Sequence, residues 1–112
     1  MYVGKAVIKV SANGCGIGLA DALITIKDIY SGISASAYTE NDGFTPVMEV
    51  FSSEKRGARR FFSIEASLDG FTSLTIPFFP IRSGYTFFLS MPLERKSEKK
   101  QENSLINQDN RL

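Results

Sequence analysis

Apolar and polar residues alternate along short stretches through most of this chain, and its first 93 residues contain no stretch with helical spacing. Alternation with a period of two places successive side chains on opposite faces of a β-strand. Ala22, Ile24 and Ile26 form one such face, and Phe62 and Ile64 belong to another. The pattern predicts strands over residues 5–11, 22–28, 34–39, 44–51, 61–68, 74–78 and 85–93.

Turn residues separate these stretches. Asn41-Asp42-Gly43 and Asp69-Gly70 lie between apolar runs, where glycine adopts a positive φ without steric cost. Pro46 predicts that the fourth strand starts late or lies at a sheet edge, and Pro77 and Pro80 predict that the sixth strand ends early. Seven short strands at this spacing predict an all-β fold, a seven-stranded antiparallel Greek-key β-sandwich.

The composition divides the chain into two parts. Residues 1–93 carry the alternating pattern and are predicted to form one β-sandwich domain, whereas residues 94–112 are dominated by Lys, Glu, Asn, Gln and Ser. The tail has little apolar area to offset the entropy of ordering, so the sequence favours a disordered polar tail. The alternative is a helix that docks on a partner.

Charge and cysteine content narrow the class of protein. The chain has 13 basic and 12 acidic residues, a net charge of +1, so nucleic acid is not an expected partner. No apolar run is long enough for a membrane span, and Lys5 and Lys9 interrupt the apolar N-terminus, unlike a signal peptide. The single cysteine, Cys15, forms no intrachain disulfide. We therefore expect a cytoplasmic location, or the cell or spore envelope by a non-classical route.

Several motifs together resemble the carboxypeptidase regulatory-like domain, a prealbumin-like (transthyretin-like) β-sandwich. They are Leu-Ala-Asp-Ala-Leu-Ile-Thr-Ile at 19–26, Thr-Glu-Asn-Asp-Gly-Phe at 39–44, the strand at 62–67, Leu-Asp-Gly-Phe at 68–71, and Met-Pro-Leu at 91–93. The resemblance spans about residues 5–93 and departs from the family pattern in the loop at 52–60 and at Pro46. The pattern is also similar to short modules of spore-forming Gram-positive bacteria. The resemblance implies a non-catalytic structural or binding module, and carries over no functional residues.

Candidate catalytic and metal-binding residues are few. The chain has no histidine, and the acidic residues Asp21, Asp28, Glu40 and Asp42 fall near turns, where carboxylates usually bond to the backbone. Glu40, Asn41 and Asp42 are consecutive and lack the spacing of a calcium loop. The Gly-rich loop at 12–18 matches neither a dinucleotide nor a P-loop pattern. We expect no enzyme activity, no metal and no cofactor.

Two features are candidate binding surfaces. Four cations lie within six residues of one loop and could contact an anionic polymer, although a solvated loop has the same composition. The chain has more aromatic residues than one buried sheet face should require, and adjacent Phe87 and Phe88 must point to opposite faces of their strand. The candidate binding residues are Lys55, Arg56, Arg59, Arg60, Phe61, Tyr85 and Phe88.

These observations favour a non-catalytic protein–protein interaction or assembly module, whose partner is another protein or a second copy. The alternative is a ligand-binding module for a cell-wall glycan or anionic polymer. The exposed aromatic face would serve the first function, and the basic loop the second.

Overall fold

The structure is a computed structural model that describes residues 1–96 and contains seven β-strands. Each strand follows an alternating stretch of the sequence, and turns or loops connect them. The strands are β1 (Tyr2–Ala12), β2 (Leu23–Asp28), β3 (Ser34–Tyr38), β4 (Met48–Ser53), β5 (Arg59–Ser67), β6 (Leu74–Arg82) and β7 (Thr86–Leu93).

The strands form two sheets that pack face to face. One sheet has the order β4-β1-β7 and the other β3-β2-β5-β6, and the chain crosses between them after β1, β3, β4 and β6. Such crossings are typical of Greek-key sandwiches. The predicted all-β, seven-stranded sandwich is confirmed.

One strand pairing differs from the prediction of an antiparallel sandwich. β1 and β7 are parallel, from Lys5 opposite Thr86 to Ala12 opposite Leu93. Parallel neighbours need a long connection, and the five intervening strands supply it. The other strand pairs are antiparallel, as predicted.

The core lies between the sheets and uses the faces that the alternation predicted. Ala22, just before β2, and Ile24 and Ile26 of β2 have exposed fractions of 0%, 0% and 1%. Burying each large aliphatic side chain contributes about 1.5–3 kcal/mol. The buried cluster consists of Ala6, Ile8, Val10, Ala22, Ile24, Ile26, Met48, Phe62, Ile64, Ala66, Phe71, Ile81, Met91 and Leu93.

Prolines shape two edge strands. β4 begins at Met48, after Pro46, and pairs only with β1, so both parts of the prediction for this strand are correct. The prediction that β6 ends at Phe78 is wrong, because β6 continues to Arg82. The strand tolerates its prolines because it is an edge strand whose register shifts near Pro77.

The turn predicted at residues 41–43 is present. Gly43 has a φ of +88°, and its amide donates a hydrogen bond to the carbonyl of Glu40 over 2.8 Å. An added Cβ would lie 2.6 Å from both Cα of Gly18 and the carbonyl oxygen of Val10. Glycine is therefore required both by the backbone conformation and by close packing against two neighbouring segments.

The predicted tail mostly falls outside the described residues. Its first residues, Glu94 to Lys96, continue from β7 and pair with the β5–β6 turn: the Thr72 amide donates to the Glu94 carbonyl, and the Lys96 amide to the Gly70 carbonyl, each over 2.8 Å. The predictions for residues 97–112 stay predictions. Within residues 1–96, no helix is long and apolar enough to cross a membrane.

Candidate interaction surfaces

Residues 54–58, between β4 and β5, form a loop held against the β6–β7 turn by one buried serine. The Ser83 hydroxyl donates to the Lys55 carbonyl over 2.6 Å and accepts from the Ala58 amide over 2.9 Å. The Ser83 backbone adds bonds to the Gly57 amide, 2.8 Å, and the Ala58 carbonyl, 2.9 Å. These bonds fix the loop that carries Lys55 and Arg56 at one end of the sandwich.

Arg56 and Tyr85 are brought together at this end. The Arg56 guanidinium carbon lies 5.2 Å from the centre of the Tyr85 ring, and both residues are exposed. A cation above an exposed aromatic ring is worth about 0.5–1 kcal/mol, and the guanidinium keeps its charge accessible. The pair thus combines a charge and an aromatic surface, and connects the basic loop to the start of β7.

Arg59 and Phe61 lie on the outer face of the four-stranded sheet. The prediction that all four cations lie on one loop is wrong for Arg59 and Arg60, because β5 begins at Arg59. The Arg59 guanidinium is 5.6 Å from the Phe61 ring centre, and Phe61 packs edge-on against Phe78 at 6.3 Å. Arg59 is directly opposite Arg82 across the β5–β6 pair, and both are exposed. Arg82 was not predicted as a site residue. Strict alternation from Leu74 and Ile76 would have placed it on the core side, and the register shift near Pro77 turns it to the outer face.

Arg60 differs from the other predicted cations because its side chain turns toward the edge of the core and is paired with a carboxylate. Its Nε lies 3.0 Å from Oδ2 of the buried Asp28, and its guanidinium is 5.8 Å from the Phe51 ring centre. Asp28 Oδ1 also accepts hydrogen bonds from the amides of Tyr30, 2.8 Å, and Ser31, 3.2 Å. Arg60 therefore stabilises the junction of β2 and β5.

The surroundings of Asp28 change its acidity. Burial alone raises the pKa of its carboxyl, but the amides of Tyr30 and Ser31 and the Arg60 guanidinium favour the ionised form more strongly. The pKa consequently lies below its ordinary value. Asp28, like Asp42, whose Oδ1 accepts from the Phe44 amide over 3.0 Å, bonds to the backbone as expected for turn carboxylates.

We define the basic end as Lys55, Arg56, Arg59 and Arg82. Unlike Arg60, which is paired with Asp28, these four cations have no carboxylate oxygen within 4.0 Å among residues 1–96. Their charges are available to an anionic ligand.

Phe88 lies on a different surface, the outer face of the three-stranded sheet. Its side chain is 72% exposed, whereas neighbouring Phe87 points inward and contacts Phe79 edge-on at 6.1 Å. The register partner of Phe88 on β1 is Val7, which is only 7% exposed. The expectation that one of the two phenylalanines is exposed is confirmed.

The seven predicted site residues therefore occupy several environments. Arg56 with Tyr85 and Arg59 with Phe61 form cation–aromatic pairs, Lys55 lies on the same loop, Arg60 is paired with Asp28, and Phe88 lies on the other sheet. Within residues 1–96, no group of three or more His, Cys, Asp or Glu side chains is arranged to hold a metal ion.

Comparison with known proteins identifies a similar fold but no family. No family model matches the chain, and none of the curated proteins matches it. The backbone protein of the group B streptococcus pilus 2b has a similar structure, with a TM-score of 0.59 and 10% sequence identity. The match covers 87% of this chain and 43% of the pilus protein, so this chain spans less than half of that protein's length. At this identity the similarity shows the fold alone.

Proposed function

We propose that this protein is a non-catalytic protein–protein interaction or assembly module. The observation that carries the proposal is Phe88, a large apolar side chain 72% exposed on an edge strand. A phenylalanine buries about 150–250 Å² when covered, so leaving it in water forgoes a large apolar contribution. Covering it with another protein surface would recover that contribution.

The fold supports a role of this kind. The similar solved structure is named as a pilus backbone protein, a component of an assembly. The sheet orders β4-β1-β7 and β3-β2-β5-β6 suit the prealbumin-like sandwich that the sequence motifs resemble. We extend the proposal to a carboxypeptidase regulatory-like module of the cell or spore envelope.

Two exposed phenylalanines allow a matched test. Phe88 is 72% exposed on the three-stranded sheet, and Phe78 is 65% exposed on the four-stranded sheet. We expect Phe88→Ser to reduce either self-association, measured by sedimentation velocity, or the capture of proteins that the wild-type chain retains from a native lysate. Phe78→Ser should leave both properties unchanged. Equal behaviour of the wild-type chain and both variants in both assays would overturn the proposal.

A second candidate function is binding of an anionic polymer by the basic end. The observation that favours it is the cross-strand pair of Arg59 and Arg82, two like charges directly opposite with no carboxylate within 4.0 Å in residues 1–96. Such pairs destabilise a sheet, and a bound anion would remove the repulsion.

Polyphosphate is a suitable probe for this candidate. We expect binding that weakens with salt and is lost in the double variant Arg59→Glu/Arg82→Glu, while Lys27→Glu, which changes an exposed charge on β2, retains it. Equal loss in the control, or no binding by the wild-type chain, would exclude a specific role for the basic end.

A further inference from the structure

The sandwich has four edge strands, and three of them are protected against pairing with another strand. β3 has only five residues, β4 follows Pro46 and shifts register opposite Gly4 and Lys5, and β6 contains Pro77 and Pro80. Short strands, bulges and prolines are the usual devices that prevent edge-to-edge pairing. β7 has eight residues in continuous register with β1, carries no charged residue, and has its one proline near its end, at Pro92.

The hydrogen bonds of β7 to β1 determine which backbone groups face the open edge. The carbonyl of Tyr85 accepts from the Lys5 amide over 3.0 Å, and the carbonyl of Leu93 accepts from the Asn13 amide over 2.8 Å. Backbone amides and carbonyls of successive residues point to opposite sides of a strand, so those of the odd-numbered residues of β7 point toward β1. The amides and carbonyls of Thr86, Phe88 and Ser90 therefore face outward, and they have no hydrogen-bond partner within residues 1–96.

We propose that β7 pairs antiparallel with β7 of a second copy of this chain, with the two Phe88 residues opposite each other. The inference rests on the proposed function and specifies its partner. In this register the two Phe88 residues exchange two hydrogen bonds. Thr86 of each copy exchanges two more with Ser90 of the other copy, so the ladder has about six bonds in all. The two three-stranded sheets become one continuous six-stranded sheet, β4-β1-β7-β7-β1-β4.

The side chains of β7 fit this register. The facing pairs are Phe88 with Phe88 and Thr86 with Ser90, which are aromatic and hydroxyl pairs without charge repulsion. A shift by two positions in one direction would place Pro92, which lacks an amide hydrogen, opposite Thr86 of the other copy and lose part of the ladder. A shift in the other direction would place Ser90 opposite Gly84, which lies outside β7. In the Phe88-centred register Pro92 instead lies beyond the paired residues.

The open side of the sandwich provides additional apolar area for such a dimer. Phe87 and Leu89 of β7 are only partly buried, as are Leu74, Ile76 and Phe79 of β6. β6 and β7 are the edge strands of their sheets, and they contact each other through the Phe79–Phe87 ring pair. Stable interfaces bury about 1,200–2,000 Å² in total, more than a six-bond ladder alone, so these residues are needed to complete the contact.

A segment of the same chain is a less suitable occupant of this edge. Glu94 and Lys96 pair with Thr72 and Gly70, so the chain leaves β7 along the β5–β6 turn. Residues 97–112 carry only three apolar residues, Leu105, Ile106 and Leu112, and are poor in strand-forming residues. A second β7 offers an uncharged strand of the same length.

The first test is sedimentation equilibrium of the full chain with edge variants. Ser90→Pro removes an outward-facing amide that is unpaired in the monomer, and we expect it to raise the dimer dissociation constant by about tenfold or more, because two bonds are lost by symmetry. The control Ser90→Thr keeps the amide and should dimerise like the wild-type chain. Circular dichroism and thermal unfolding verify that both variants are folded.

The second test measures the register. In a Cys15→Ser background, chains with Thr86→Cys are mixed with chains with Ser90→Cys under mild oxidation. Cα atoms of a hydrogen-bonded pair are about 5.5 Å apart, within the range of a disulfide. We expect a covalent heterodimer in the mixture and far less dimer from either chain alone. Comparable yields in all three samples would contradict the Phe88-centred register.

The remaining outcomes separate this inference from the proposed function. A monomeric wild-type chain, or a dimer that Ser90→Pro does not weaken, overturns the β7 pairing. The proposed function still holds in that case if Phe88→Ser loses protein capture and Phe78→Ser retains it. If substituting Leu105 and Ile106 by Ser abolishes the association, the C-terminal segment makes the contact and the β7–β7 dimer is wrong.

Discussion

Asp28 and Arg60 join the end of β2 to the start of β5 through a 3.0 Å contact between Asp28 Oδ2 and Arg60 Nε. The carboxylate side chain is 7% exposed and the arginine side chain 44%, so the pair lies at the boundary between core and solvent. The amides of Tyr30 and Ser31 bond to the other carboxylate oxygen, Oδ1. Three donors thus hold one buried charge.

This arrangement predicts a loss of stability in acid. The pKa of Asp28 is lowered in the folded state, so its contribution is fully present above the unfolded pKa, about 3.9, and is lost as the pH falls through the lower folded value. Asp28→Asn keeps an oxygen acceptor but removes the charge. We expect it to cost about 1 kcal/mol near neutral pH and to flatten the decline of unfolding free energy below about pH 5.

Urea denaturation of both chains between about pH 2 and about pH 7 measures this difference. Asp69→Asn, at an exposed turn, is the control for removing one carboxylate. Parallel curves for the wild-type chain and Asp28→Asn would show that Asp28 does not contribute to the acid transition.

Gly43 and Gly70 provide a second prediction, because both have a φ of +88° but differ in their surroundings. A Cβ at position 43 would meet Gly18 and the Val10 carbonyl at 2.6 Å, whereas a Cβ at position 70 has no atom within 4 Å. Gly70→Ala should cost about 1–2 kcal/mol for the backbone conformation alone. Gly43→Ala should cost about 3 kcal/mol or more, because steric overlap is added.

Thermal and urea unfolding of the two alanine variants compares these effects directly. Equal losses of stability would mean that the segments around Gly43 move apart at little cost, and that close packing does not determine the residue at this turn.

Much of this fold follows from local patterns. The alternation predicted the buried face of β2 and the inward residues Phe62, Ile64 and Ala66 of β5, because a sheet with one face in the core imposes a period of two. The turn at Gly43 was equally predictable from Asn41-Asp42-Gly43, since few other residues adopt its backbone conformation.

The features that were not predicted depend on contacts between distant segments. The parallel pairing of β1 with β7 joins residues about 80 positions apart, as Lys5 and Thr86 are, and no local signal records strand direction. Arg82 was missed because Pro77 and Pro80 suggested a strand end, whereas an edge position tolerates both. The separation of Phe88 from the basic end likewise follows from its sheet, which local sequence does not specify.

Ser83 gives a third prediction, at the contact between the β6–β7 turn and the basic loop. Ser83→Ala leaves the Lys55 carbonyl and the Ala58 amide without their side-chain partner, and we expect a loss of about 1–3 kcal/mol. Ser52→Ala, at an exposed position of β4, should change stability by less than about 0.5 kcal/mol.

Trypsin cleavage after Arg56 should accelerate in Ser83→Ala, since the loop opens more often. Unchanged cleavage would show that the backbone bonds of Ser83 hold the loop unaided.

The cross-strand arginines give a prediction with the opposite sign. Arg59 and Arg82 are directly opposite each other on the outer face of β5 and β6, and like charges in such positions are destabilising. Arg59→Glu replaces the repulsion by attraction and should stabilise the chain by about 0.5–1 kcal/mol at low salt, with little effect at about 1 M salt, where the Debye length is about 3 Å. Urea unfolding at both salt concentrations measures the change, and Arg59→Gln, which only removes the charge, should give a smaller gain. If both variants are destabilised at low salt, the stacking of Arg59 on Phe61 outweighs the repulsion between the arginines. If both variants gain stability but lose polyphosphate binding, this surface retains its arginines at the expense of stability, as binding sites commonly do.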